Sequence, residues 1–227
     1  MLNTQPKIFP LGESAVVVEF GNIISEDLNR KAICLAEHLT ANPFPGYIES
    51  VPAYTSTTIF YDLVEVRRRS EDRQSVFDSI AHILRLALAD MKFSEEAQRD
   101  VIKIPATFNK QSGPDLEFVS ETSSLAIDEI IKIFTSATYR VYMVGFLPGF
   151  AYMGELDDRL SMPRKQQPRQ AVPKGSIGVA GRQTGIYPLE SPGGWQLIGR
   201  TEIELFMPDN ERPTLLGPGD VVRFVPI

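Results

Sequence analysis

The sequence predicts an α+β chain in two parts, a helix-containing half followed by a turn-rich β half. Glycine and proline are the first observation: residues 145–227 hold 12 of the 16 glycines and 10 of the 17 prolines. Charge is the second. That stretch balances 9 basic against 9 acidic residues, so residues 1–144 own the whole net charge of −6. The third is periodicity, which passes from helical spacing to short β-branched runs after residue ~134.

Ser14 to Phe20 (SAVVVEF) is β-branched and flanked by Gly12 and Gly21, which predicts a strand. Ser25 can cap a helix whose first turn carries Glu26 and Asp27, with Leu28, Ala32, Leu35 and Leu39 on one face. Asn42-Pro43 ends it. Short strands follow around Tyr47–Val51 and Thr57–Tyr61, separated by a Pro52 turn. Phe77, Ile80, Leu84, Leu88 and Met91 then mark a second amphipathic helix over ~72–91, and Val101–Ile104 reads as a last strand. The order βαββαβ is that of a ferredoxin-like sandwich, with both helices on one sheet face. A third helix is expected near 125–134, with Ile127, Ile130, Ile131 and Phe134 inward. Beyond it strands are expected at Arg140–Val144, Ser176–Ala180, Trp195–Ile198, Ile203–Phe206 and Val221–Val225, a spacing that suits a small barrel or sandwich. The division is drawn at residues 1–98 and 99–227.

Much chemistry is excluded at once. No apolar run approaches the ~18 residues of a membrane span, and the N-terminus lacks a signal-peptide pattern, so a cytoplasmic protein with no membrane partner is expected. The acidic balance argues against nucleic acid. One cysteine (Cys34) and two histidines (His38, His82) leave no ligand set for a structural metal. No histidine follows residue 82 and no GxSxG occurs, so a Ser-His-Asp triad is not expected in the β half. The P-loop pattern is also missing, so any ATP would be held another way.

The informative region runs from Val144 to Thr201. Gly145-Phe146-Leu147-Pro148-Gly149-Phe150 sets two glycines and a proline among aromatics directly after a predicted strand. From Asp158 to Arg182 six basic residues face one acid, a local excess that suits a carboxylate or phosphate; the alternative is a solvated basic loop or an interface. Arg164 and Arg169 each follow a proline, so their backbones are partly preset and their guanidiniums are expected to converge. Gly181 to Pro188 and Ser191 to Gln196 add glycine-exposed amides, Gln183, Thr184, Tyr187 and the sole tryptophan, Trp195. These suit a small polar ligand or an oxyanion; the alternative is hairpin turns with Trp195 capping the core.

The run GFLPGFAYMGELDDRLSMPRKQQPRQAVPKGSIGVAGRQTGIYPLESPGGWQLIGRT closely resembles the KipI/PxpB family. Leu11-Gly12-Glu13-Ser14-Ala15, Val51-Pro52-Ala53-Tyr54, Gly113-Pro114-Asp115-Leu116 and the ending Leu216 to Phe224 fit as well, so the resemblance covers essentially the whole chain. It implies a ferredoxin-like N-terminal domain followed by a cyclophilin-like β-barrel. It also implies the B component of an ATP-dependent 5-oxoprolinase, hydrolysing the lactam of 5-oxo-L-proline to L-glutamate with the A and C subunits. ATP would be shared with those partners. The alternative the family offers is a regulatory protein inhibiting a sensor histidine kinase; a weaker third is an orphan carboxyltransferase-like module. Two departures stand out: Phe134 occupies a place where the family usually has His, and Phe108-Asn109 replaces a common "YG".

Opening a resonance-stabilised lactam near neutral pH needs coupling to ATP, and phosphorylating the lactam oxygen would create an electrophile that water can attack. Such chemistry asks for cations and neutral donors. Residue type then assigns Gln183, Thr184, Tyr187 and Lys174 as catalytic candidates. Arg164, Arg169, Arg200, Gly193, Gly194 and Trp195 are assigned to substrate or phosphate, and no metal is expected.

Overall fold

The computed structural model describes residues 5–69, 75–91 and 99–227. The chain forms two compact units, Met1–Ala97 and Gln98–Ile227.

The first unit contains β1 (Lys7–Pro10), β2 (Ala15–Glu19), α1 (Glu26–Ala41), β3 (Tyr47–Pro52), β4 (Ser56–Tyr61), α2 (Leu63–Arg69) and α3 (Val76–Asp90). Its sheet is antiparallel throughout, in the order β1-β2-β4-β3. Alternation in β2 and β4 sends Val16, Val18, Ile59 and Tyr61 to one face, where they meet Ala32, Leu35 and Leu39 of α1 and Ile80 and Leu84 of α3. The Ser25 hydroxyl accepts from Leu28 N at 3.2 Å, the cap expected from sequence. Ser75 caps α3 in the same way, accepting from Asp78 N. The expectation that α3 starts near residue 72 falls outside the described residues.

One expected strand belongs elsewhere. Val101–Ile104 lies in β5 (Val101–Ala106), which pairs in parallel with the last strand of the second unit rather than closing the first sheet. The edge beside β2 is taken by β1, which reaches it through a tight hairpin.

The second unit continues with α4 (Leu116–Ser123), α5 (Ile127–Ser136), β6 (Tyr139–Val144), β7 (Ala151–Gly154), β8 (Arg169–Val172), β9 (Ser176–Ala180), β10 (Gln183–Ile186), β11 (Ser191–Gly193), β12 (Gln196–Arg200) and β13 (Val221–Pro226). A seven-stranded sheet runs β12-β9-β10-β7-β6-β13-β5. Its two outer strands are joined by a reciprocal pair, Thr107 N to Arg200 O at 2.8 Å and Arg200 N to Thr107 O at 3.0 Å, so the sheet curls into a nearly closed barrel. The interior is filled by residues such as Ile104, Val141, Met153, Ile177, Ile198 and Phe224. Ile130 and Phe134 of α5 are buried against it; Ile133 packs there too, in place of the expected Ile131. Phe134 stacks on Phe224 at 4.8 Å and its carbonyl accepts from Tyr139 Oη, so this position serves packing. Ile203–Phe206 makes only the bridge Phe206–Thr214, because Leu205 turns inward from an irregular loop.

Candidate functional site

Beside strands β7 and β12 lies a cleft of about 270 Å³ whose base is aromatic. Phe150 ends the turn after β6, Tyr152 lies in β7, Tyr187 follows β10 and Trp195 precedes β12. Phe150 meets Tyr152, Tyr187 and Trp195 edge-on, with ring centroids 4.8, 5.2 and 5.5 Å apart. Edge-to-face contacts of this kind add to burial and hold the rings in one arrangement. Phe150, Tyr187 and Trp195 form a small cluster with Val172, Ala180 and Leu197, separate from the barrel interior. A methyl at Gly193 would sit 2.4 Å from the Tyr187 hydroxyl oxygen, so only glycine lets β11 pass this close. Phe146 extends over the rim, 62% exposed, with a backbone φ of 69° that a bulky residue rarely adopts.

The cations above this base divide into two kinds. Asp115, 5% exposed, is the residue just before α4, yet its carboxylate does not cap that helix. Its Oδ1 accepts from Arg169 Nη2 at 2.7 Å and from Lys165 Nζ at 3.0 Å, and its Oδ2 from Leu197 N at 2.7 Å. Burial pushes the Asp115 carboxyl upward, but hydrogen bonds from Arg169, the Leu197 amide and Lys165 outweigh it, and the net shift is downward. One carboxylate thus ties the 163–169 loop to α4 and β12. Arg164 is different: it lines the cleft, is exposed, and makes no hydrogen bond or ion pair among the described residues. Burial raises the Tyr187 pKa, so its hydroxyl stays neutral and can donate a proton in a hydrogen bond at physiological pH.

Of the ten residues singled out by sequence, Arg164, Tyr187, Gly193, Gly194 and Trp195 line this cleft. Arg169 stands behind it: as the first residue of β8 it faces Asp115 and the Trp195 carbonyl, so the two proline-preceded arginines do not converge. Lys174 pairs with Glu204 at 2.6 Å, and Arg200 lies 3.4 Å from Glu202 at the barrel seam. Thr184 is fully buried and donates its hydroxyl to Gly178 O; Gln183 opens β10 opposite Ala180. None of these four borders the cleft. Sequence reasoning gave no role to Asp115, Phe150 and Tyr152. The aromatics carried a signal in the GFLPGFAY run; Asp115 stands in the Gly113-Pro114-Asp115-Leu116 motif, but its pairing was not legible because its partners lie 50 to 82 residues away.

Comparison with known proteins assigns the chain. The family model described as "Carboxyltransferase domain, subdomain C and D" matches residues 6–216. The chain is 43% identical over 222 residues to the 5-oxoprolinase B component of Bacillus subtilis (strain 168), covering 97% of this chain and 92% of that protein. It is 36% identical over 220 residues to the protein of the same name from Escherichia coli O157:H7, covering 97% and 95%. Among solved structures, TTHA0988 matches with a TM-score of 0.80 at 37% identity over 94% of this chain, which spans only 40% of that longer chain. The fold, the nearly full-length match and these relatives agree, and the chain belongs to the carboxyltransferase domain, subdomain C and D family.

Proposed function

We propose that this chain is the B component of an ATP-dependent 5-oxoprolinase, acting in the cytoplasm with the A and C subunits. The observation that carries the reading is the 43% identity, across nearly the full length of both chains, to a protein named for that role. The cleft agrees with it in size and chemistry. At about 270 Å³ it lies just under the ~300–1,000 Å³ of pockets for larger ligands, so it suits a metabolite of a few heavy atoms. 5-Oxoproline is a flat five-membered lactam bearing one carboxylate. Its ring fits against Phe150, Tyr152 and Trp195, its carboxylate suits the uncommitted Arg164, and neutral Tyr187 is a donor of the kind a lactam oxygen needs.

In this reading the barrel is cyclophilin-like, and the first unit is a ferredoxin-like sandwich whose β2-β4-β3 strands keep the usual order while β1 takes the remaining edge. The cleft has no nucleophile–base pair among its lining residues, which supports a component that binds and orients while partners complete the reaction. The test is reconstitution. The chain is purified alone and with the A and C subunits, and glutamate formation is followed with ATP and 5-oxoproline. Turnover is expected only from the complex; robust turnover by the chain alone, or none by the complex, refutes the reading.

A further inference from the structure

A second cleft of about 550 Å³ is bordered by the 163–167 segment. Phe118 of α4 and Gln196 of β12 form two of its walls, and Pro163 to Gln167 the third. Arg164 and Lys165 border both clefts. Every lining residue is neutral or cationic, in a chain of net charge −6. Phe118 is 42% exposed, a large ring left at the surface of a helix whose Leu116 and Val119 face the core. Three carboxamides line the same cleft. Gln196 is 3% exposed; its Nε2 donates to Pro163 O at 2.9 Å, while its Oε1 is buried without a hydrogen-bond partner among the described residues. The side chains of Gln166 and Gln167 are exposed and make no hydrogen bond among the described residues.

These groups match one ligand class. An exposed aromatic ring stacks a flat heterocycle, carboxamides offer donors and acceptors to its edge, and a free guanidinium holds phosphate. The volume falls inside the usual range for a ligand of that size, which the aromatic cleft does not reach. We propose that this second cleft binds a nucleoside triphosphate, with its base on Phe118 and its phosphates toward Arg164. The inference rests on the 5-oxoprolinase reading for the choice of ATP. It adds a location: the nucleotide and the small substrate lie in neighbouring clefts that share Arg164.

The test titrates the full chain with a non-hydrolysable ATP analogue by calorimetry, with adenosine and inorganic triphosphate as separate arms. In parallel, Trp195 fluorescence follows 5-oxoproline. Phe118→Ala is expected to weaken the analogue and adenosine about tenfold, as loss of a stacked base does, and to leave triphosphate and the 5-oxoproline response unchanged. Arg164→Ala should weaken both the analogue and 5-oxoproline. Triphosphate binding that matches the analogue, with adenosine silent, would show a phosphate site alone and overturn the nucleotide assignment. No analogue binding, or binding indifferent to Phe118→Ala, also overturns it. If 5-oxoproline still registers at Trp195 in that case, the 5-oxoprolinase reading survives. Analogue binding sensitive to Phe118, with no 5-oxoproline response, would do the reverse.

Discussion

Replacing Asp115 by Asn keeps the shape of the side chain and removes its charge. The native carboxylate accepts three hydrogen bonds, two from cations and one from the Leu197 amide. Hydrogen bonds to charged groups are worth ~1.5–3 kcal/mol each, and breaking a buried pair costs ~3–5 kcal/mol when the partner is stranded. Here the partners are not fully stranded, because the Lys165 and Arg169 side chains are 30% and 24% exposed and can turn toward water. Asn also keeps one oxygen for the Leu197 amide. A loss of roughly 2–4 kcal/mol follows, about 6–20 °C in Tm at ~3–5 °C per kcal/mol for a unit of this size. The pH dependence has a definite sign. A carboxyl whose pKa is lowered by folding stabilises the protein above its ordinary range near pH 4 and loses that contribution as pH falls through the folded value. The gap between wild type and Asp115→Asn, measured by calorimetry from pH 7 to pH 3, should therefore narrow on the acid side. A Tm change under ~2 °C at pH 7, or a gap that widens on acidification, would refute the reasoning.

Arg164→Ala should leave Tm within ~1 °C yet weaken 5-oxoproline at Trp195 by ~10–100-fold, whereas Arg169→Ala should lower Tm by several degrees because it breaks the Asp115 pair; equal behaviour of the two in both assays would show that they are interchangeable. Because Trp195 is the sole indole and lines the cleft, intrinsic fluorescence should change on adding 5-oxoproline; silence while calorimetry detects binding would place the ligand elsewhere. Gly193→Ala should displace the Tyr187 hydroxyl and reduce 5-oxoproline affinity, and unchanged affinity would show that the tyrosine does not border the bound ligand. Lys174→Ala, whose partner Glu204 is itself exposed, should move neither reading, since such pairs contribute ~0–1 kcal/mol.

What the sequence disclosed follows from where each signal is written. The α1 helix was legible because its cap, acidic first turn and apolar stripe are all local to residues 25–41. Strands β7, β8, β10 and β11 were not, since each has only three or four residues and is a strand by virtue of its ladder partners. The α4 helix, LEFVSETS, has a polar run in place of a full stripe and is fixed by burying Leu116 and Val119. β5 was read as the last strand of the first sheet because it completes the βαββαβ order; its actual partner lies 120 residues on. In the site, the glycine-, proline- and tryptophan-bearing turns read from sequence are the ones that line the cleft, since tight turns and aromatic floors need those residue types. Charge alone does not tell which cations lie at the cleft. Lys174 and Arg200 were selected as cations, but Glu204 and Glu202 meet them in space, and nothing local to Arg164 or Arg169 reveals which of the two Asp115 claims.

The parallel pairing of β5 with β13 also dictates an order of events during synthesis. Every strand of the first sheet has been made by residue 61, so that sheet can assemble early on the ribosome. The barrel cannot: β13 is the strand that sits between β6 and β5, and it is complete only at residue 226. Until then both neighbours present bare edges, and closing a loop of more than a hundred residues is slow. A ribosome stalled before residue 221 would leave a formed first unit attached to an open, sticky sheet. Removing residues 221–226 should therefore make the chain a substrate for chaperones and proteases, although no cleft residue is touched.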